Sequence, residues 1–232
     1  MGLIEVKDVS YSYQGKYQTI EAVKNVTCSF DEGAFYAIVG HSGSGKTTLL
    51  SLLAGLDLPT SGEIYVDGSA MSALNRDRYR LKTASVVYQS FNLFPLLTAL
   101  ENVTYPMQLQ GRSKAEAEAV AKQLIAEVGL GEKIWRRRPL MMSGGEQQRV
   151  AIARARAAGG KIMLADEPTG NLDAKNGNMI TNQLKLLAHE RGYAVIVVTH
   201  NEELAKQADA VYMMQDGQLT TLAKEGQHES DA

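Results

Sequence analysis

The residues Gly40-His41-Ser42-Gly43-Ser44-Gly45-Lys46-Thr47 match the spacing G-x-x-x-x-G-K-[ST]. Glycines at these points let a backbone curl until its N–H groups converge on phosphate oxygens. A helix beginning at the loop's end aims its partial positive charge at the same anion. The spacing predicts that Lys46 reaches the β- and γ-phosphates of a nucleotide and that Thr47 offers its hydroxyl to Mg²⁺. Thr48 continues the loop into the helix and is counted with it, and His41 has no role beyond its place in the loop. A chain of this length meets the pattern by chance about once in a hundred. The context argues further against chance, because the loop lies between an apolar run and a helix-forming stretch, as phosphate loops require.

A second chemical site ends the apolar run Lys161–Ala165 with Asp166-Glu167-Pro168. A carboxylate closing a buried strand opposite a phosphate loop holds a metal shell. Asp166 fits that task through water, and Glu167 fits that of general base toward a water attacking the γ-phosphate. A solvated acidic turn would read the same way in isolation; the phosphate loop upstream decides between them.

A third segment runs Met142-Ser143-Gly144-Gly145-Glu146-Gln147-Gln148-Arg149. A serine and two glycines ahead of a helix again make an anion site from a hydroxyl and free N–H groups. Here the chain closely resembles the ATP-binding cassette (ABC) ATPases, whose signature is Leu-Ser-Gly-Gly-Gln. Met142 replaces the leucine and Glu146 the final glutamine, both within the family's range. The resemblance implies that Ser143, Gly144, Gly145 and Glu146 meet the γ-phosphate held by a second copy of the chain, so that two composite ATP sites form when two cassettes close head to tail. It also implies that Gln89 is the glutamine that senses Mg²⁺ and links to a membrane partner, that Gly170-Asn171-Leu172-Asp173 crosses the dimer interface, and that His200 is the switch histidine on the γ-phosphate. Tyr13 aligns with the aromatic that stacks on adenine; Tyr11, on the same strand face, is a rival.

The resemblance covers about Leu3 to Leu219, with the motifs in the family's order. Kinases and G proteins with phosphate loops lack the Ser143-Gly144-Gly145 segment. Phe91–Val103 and Ala165–Asp173 look like one subgroup, the macrolide-export, lipoprotein-release, haem-efflux, antimicrobial-peptide-export and cell-division ATPases. This implies an ATPase that uses ATP and Mg²⁺ at the cytoplasmic face of the cell membrane. Its implied partners are an identical subunit and an integral membrane permease with a large extracytoplasmic domain, for export or mechanotransmission. A regulatory role of the cell-division type stays open. A soluble ABC ATPase acting on DNA or ribosomes is disfavoured, because the chain has one cassette and no long heptad run. One departure stands out: Arg156 occupies a position where the family usually has Leu.

These motifs need elements to hold them. Leu3–Tyr13 alternates like a strand, a turn follows near Gly15, and a second strand is expected near Ala22–Phe30. Ala34–Val39, Ser61–Asp67, Val86–Tyr88, Lys161–Ala165 and Tyr193–Val198 read as further strands, several of them apolar enough to be covered on both faces. Helices are expected over Thr47–Leu56, Ser113–Val128 (capped by Ser113 with Glu116), Gly145–Ala158 and Ala174–Glu190. Short apolar strands alternating with helices predict an α/β fold with a mostly parallel sheet. The family adds a P-loop NTPase (RecA-like) core, an antiparallel β subdomain and a helical signature subdomain inserted at about 90–145. One domain over 1–222 and a loose polar tail over 223–232 complete the expectation.

Composition agrees. The chain has 232 residues, long enough for one large domain, and a net charge of −2, which removes any bulk electrostatic case for nucleic acid. No stretch reaches the roughly 18–20 apolar residues of a membrane span, so a membrane role has to come through a partner. Cys28, the single cysteine, reads as a small core residue. Arg136-Arg137-Arg138 beside Trp135 reads as a solvated face.

Overall fold

Strands that are apolar at every position must be covered on both faces, and four such runs set the centre of this fold. The computed structural model describes residues 2–222; the tail expected at 223–232 lies outside them. In chain order the elements are β1 (Ile4–Gln14), β2 (Thr19–Phe30), β3 (Phe35–Val39), α1 (Lys46–Leu53), β4 (Ser61–Val66), β5 (Ser69–Ala70), α2 (Arg76–Lys82) and β6 (Ala84–Val87). Then come α3 (Ala99–Leu109), α4 (Lys114–Glu127), α5 (Gly144–Ala157), β7 (Ile162–Asp166), α6 (Ala174–Arg191), β8 (Ala194–Thr199), α7 (Glu202–Ala205), β9 (Ala210–Gln215) and β10 (Gln218–Leu222).

The central sheet has the order β10-β9-β3-β8-β7-β6. It is parallel from β9 to β6, with β10 antiparallel at one edge. Side chains alternate between its faces. Ala37, Met163, Ala165, Val195 and Val197 point to a core shared with α3–α7. Ile38, Ile162, Leu164, Ile196 and Val198 point to a second core shared with α1 and with the antiparallel sheet β2-β1-β4-β5. Helices thus lie on both faces, with α1 and α2 sharing the second face with the antiparallel sheet. Every parallel strand delivers its C-terminal end to the same edge, where the phosphate loop leaves β3, Asp166 closes β7 and Thr199 closes β8.

The expected elements recur with shifts of a few residues at their ends. Those that composition did not signal are α2, α3, α7, the short β5 and the β9–β10 hairpin. In α3, Val103, Thr104 and Pro106 are poor helix formers, and Pro106 sits inside the helix. Burial of Ala99, Val103 and Met107 at four-residue spacing overrides them, and Thr98 with Glu101 forms a capping box at the start. Cys28 packs against the second core, and burial pushes its thiol up to about 12, so it stays protonated near neutral pH. Arg136 and Arg138 are exposed as expected, whereas Arg137 is partly buried and pairs with Glu146. No helix among the described residues is long and apolar enough to cross a membrane.

Leu164, fully buried in β7, and Leu140, 93% exposed, offer a test of this layering. Leu164→Ala is expected to cost about 2–5 kcal/mol in chemical denaturation. Leu140→Ala is expected to stay within about 0.5 kcal/mol of the parent. Equal midpoints for the two variants would remove β7 from the core.

Candidate functional site

The loop between β3 and α1 is fixed by close approaches that only glycine allows. A Cβ on Gly40 would stand 2.2 Å from the Met214 carbonyl oxygen, and one on Gly45 would stand 2.2 Å from that of Ala22. Gly45 also has φ +105°, a region closed to most side chains. The Gly217 amide donates to the Ser44 carbonyl at 3.0 Å, tying the loop to the β9–β10 turn. Inside the loop the Lys46 ammonium donates to the carbonyls of Gly40 (2.9 Å) and His41 (2.8 Å). Lys46 is 8% exposed, and Ser44 Oγ is buried with no hydrogen-bond partner among the described residues. A charged amine and an orphaned hydroxyl in one curled loop fit a phosphate, which would accept from both.

This loop forms one wall of a cleft of about 600 Å³. Its lining includes Tyr13, Ser42, Gly43, Gly45, Lys46, Thr47, Thr48, Gln89, Asp166, Glu167 and His200, brought from β1, α1 and the ends of β7 and β8. Two residues not picked out from the sequence, Ile20 and Ala22 of β2, also line it. They could have been found only by knowing that β2 pairs with β1 beside Tyr13. Gly40 and His41 instead line a second cavity with Met213 and Leu222, while His200 borders both. Tyr13 is half exposed and its hydroxyl lies 3.2 Å from Thr48 Oγ1. Tyr11 meets the Tyr13 ring edge-on at 5.0 Å and packs toward the second core rather than lining the cleft.

Thr47 donates to Asp166 at 3.3 Å. Burial pushes the Asp166 carboxyl above its usual range, and the Thr47 hydroxyl offsets part of that. One hydroxyl, one carboxylate and the Gln89 amide in a single cleft suit Mg²⁺, which keeps several waters and is bound through few protein oxygens plus phosphates. Among the described residues no cluster of three or more His, Cys, Asp or Glu could hold a metal alone.

Glu167 has φ +45°, a left-handed conformation that is costly for a non-glycine residue. Its surroundings impose it. Its amide donates to the Val198 carbonyl at 2.9 Å. Its carboxylate accepts from Thr199 Oγ1 at 3.0 Å and pairs with His200 Nδ1 at 2.8 Å. The end of β8 therefore holds the carboxylate of β7's neighbour at the mouth of the cleft.

Ser143, Gly144, Gly145 and Glu146 do not line this cleft. Ser143 and Glu146 form a capping box at the start of α5, the Ser143 amide donating to Glu146 at 2.8 Å. Gly144 faces the Phe91 ring and the Asn171 carbonyl, and Gly145 has Asn176 so close that a Cβ would stand 2.8 Å away. Two further residues that motif reading passed over hold the loop after Gln89. Arg154 donates to the Phe91 and Asn92 carbonyls. Asn102, fully buried, accepts from the Phe94 amide at 2.8 Å and donates to the Thr98 carbonyl at 3.0 Å.

Comparison with known proteins gives a consistent result. The family described as ABC transporter matches residues 23–170. An uncharacterized ABC transporter ATP-binding protein, MJ1508, of Methanocaldococcus jannaschii is 46% identical over 95% of this chain and 99% of its own. The lipoprotein-releasing system ATP-binding protein LolD of Shewanella frigidimarina is 42% identical over 95% and 93%. Among solved structures, the dimeric post-hydrolysis state of the ATP-binding cassette MJ0796 bound to ADP and Pi is 39% identical, covers 95% of this chain and 99% of that one, and superposes with a TM-score of 0.88.

Of the two tyrosines, Tyr13 lines the cleft. Tyr13→Ala is expected to weaken ATP binding, read by equilibrium titration with Mg-ATP, by about 1 kcal/mol or more, the scale of one base–aromatic stack. Tyr11→Ala should change it far less. A larger loss in Tyr11→Ala would move the adenine to the other ring.

Proposed function

The chain belongs to the ABC transporter ATP-binding family and is the ATP-hydrolysing subunit of such a transporter, and we propose the following division of labour among its residues. Residues 1–222 act as one ATPase domain, with the helical segment at about 90–145 inserted. The phosphate loop Gly40–Thr47, with Thr48, holds the triphosphate, and Tyr13 stacks on the base. Thr47, Gln89 and, through water, Asp166 hold Mg²⁺, which supplies charge neutralisation on the β- and γ-phosphates when bound. Glu167 accepts a proton from the water whose oxygen bonds the γ-phosphorus, as the bond to the β-phosphate oxygen breaks. His200 holds Glu167 and contacts the γ-phosphate.

The observation that carries this reading is the separation of the two anion sites. Glu167 is mostly buried, at the mouth of a cleft that contains the phosphate loop but none of Ser143–Glu146. A second copy supplies those residues across a head-to-tail dimer, each chain completing the other's site. The dimeric cassette found among the solved neighbours supports the same arrangement. ATP binding closes the dimer and hydrolysis reopens it.

The motion passes to a separate integral membrane permease, which places the subunit at the cytoplasmic face of the membrane. The surface around Gln89–Leu97 suits that partner: Phe94 and Leu96 are exposed, the latter at 78%, on a loop pinned by Arg154 and Asn102. The subgroup likeness gives the permease a large extracytoplasmic domain.

Glu167→Gln is expected to bind ATP, lose at least about a hundredfold in hydrolysis, as removal of a general base does, and accumulate as a dimer in size-exclusion chromatography with ATP. Hydrolysis at the parent rate would remove Glu167 from the base role.

A further inference from the structure

Arg156 stands in the last turn of α5, and its guanidinium donates to Glu127 Oε2 at the last residue of α4. The same carboxylate oxygen lies 3.6 Å from Arg191 Nη2, at the last residue of α6. Three helix C-termini thus converge on one carboxylate. Each brings partial negative charge, which Glu127 alone would aggravate and the two arginines offset. Arg156 is 11% exposed and Glu127 26%, so their pair is partly withdrawn from water, whereas Arg191 is 58% exposed. Gln123 donates to the other Glu127 oxygen at 3.0 Å. The Arg156 bond holds the Glu127 carboxyl below its usual range despite burial.

The placement gives this cluster mechanical meaning. The main packing partners of α4 are α3 and α5, while α6 packs against β3 and β8 of the central sheet. Glu127 therefore ties the α3–α4 segment to a helix fixed on the phosphate-loop core. Arg156 ties it to α5, the helix whose other end carries Ser143. The chain that carries these bonds superposes over 95% of its length on a chain of the dimeric cassette.

We propose that Glu127, Arg156 and Arg191 form a clamp that holds the helical segment, and so the Ser143 end of α5, in the orientation that the closed ATP dimer uses. Arg156 and Glu127 are positioning residues for dimer closure. They touch no nucleotide, and their effect falls on the fraction of chains ready to close. This rests on the head-to-tail dimer reading above.

The test uses the full chain in the Glu167→Gln background, with sedimentation in Mg-ATP for the dimer and nucleotide titration at low protein concentration for the single subunit. Arg156→Leu, which restores the family's usual residue, is expected to weaken dimerisation about five- to tenfold, the scale of a coupling between distant sites, while ATP affinity of the monomer is unchanged. Glu127→Gln should shift dimerisation the same way, and Arg156→Lys, which keeps the charge, should recover most of the loss. Dimerisation of Arg156→Leu equal to or tighter than the parent's overturns the clamp. So does a loss that Arg156→Lys does not recover, or one matched by lost ATP binding, since either marks a packing role. Should Glu167→Gln with Arg156 intact form no ATP-dependent dimer, the dimer reading itself fails and the clamp with it.

Discussion

The structure depends on one constraint: a set of backbone N–H groups must stay aimed at an anion while everything around them is packed. A loop free to collapse would satisfy its N–H groups internally and lose the site. Here the loop is held open from outside. Gly40 lies against the Met214 carbonyl of β9 and Gly45 against the Ala22 carbonyl of β2. The Lys24 amide donates to Gly217 and the Gly217 amide donates to Ser44, so the antiparallel sheet and the β9–β10 turn brace the loop together. Both sheets thus meet at the phosphate loop, which explains why the antiparallel sheet packs where a simpler α/β fold would place helices.

The same edge of the sheet organises the chemistry. A carboxylate that serves as base must keep its lone pairs toward water while its neighbour Asp166 faces Thr47 one residue earlier. Adjacent strand residues alternate in direction, which would separate the two side chains. The left-handed backbone at Glu167 breaks that alternation at the strand's end, and the Thr199 and His200 bonds hold it there. One of the strained positions thus falls on Glu167 itself, at the mouth of the cleft.

Much of this was legible in the sequence, for physical reasons that differ by element. The phosphate loop and Asp166-Glu167 are contiguous, so residue type and order were enough. The strands β7 and β8 are apolar up to their last residues because both faces are covered, and they read easily. The Ser113 and Glu116 cap of α4 also appeared as expected. By contrast, α3 contradicts its own propensities and forms because its buried face demands it, so it was not expected from the sequence. Ile20 and Ala22 enter the cleft through strand pairing, and Arg154 acts by bonding to backbone carbonyls far along the chain. Pairings of this kind leave no spacing to read.

Arg156 shows where such reading stops and structure takes over. As a letter it was a departure without a reason. In space it belongs to a set of three arginines along α5, each bonded to a different neighbour. Arg149 reaches Asn176 at 3.2 Å, itself bonded to Asp173 at the start of α6; Arg154 grips the loop after Gln89; Arg156 meets Glu127 on α4. A helix capped by Ser143 is therefore hydrogen-bonded to the start of α6, to the loop after Gln89 and to the end of α4. Arginine suits this because its fork of donors can bond two carbonyls at once, as Arg154 does, and keeps its charge when buried. Burial does lower Arg154's affinity for its proton, but from so high a starting value that the group stays charged. Any change in the tilt of α5 would strain all three connections together.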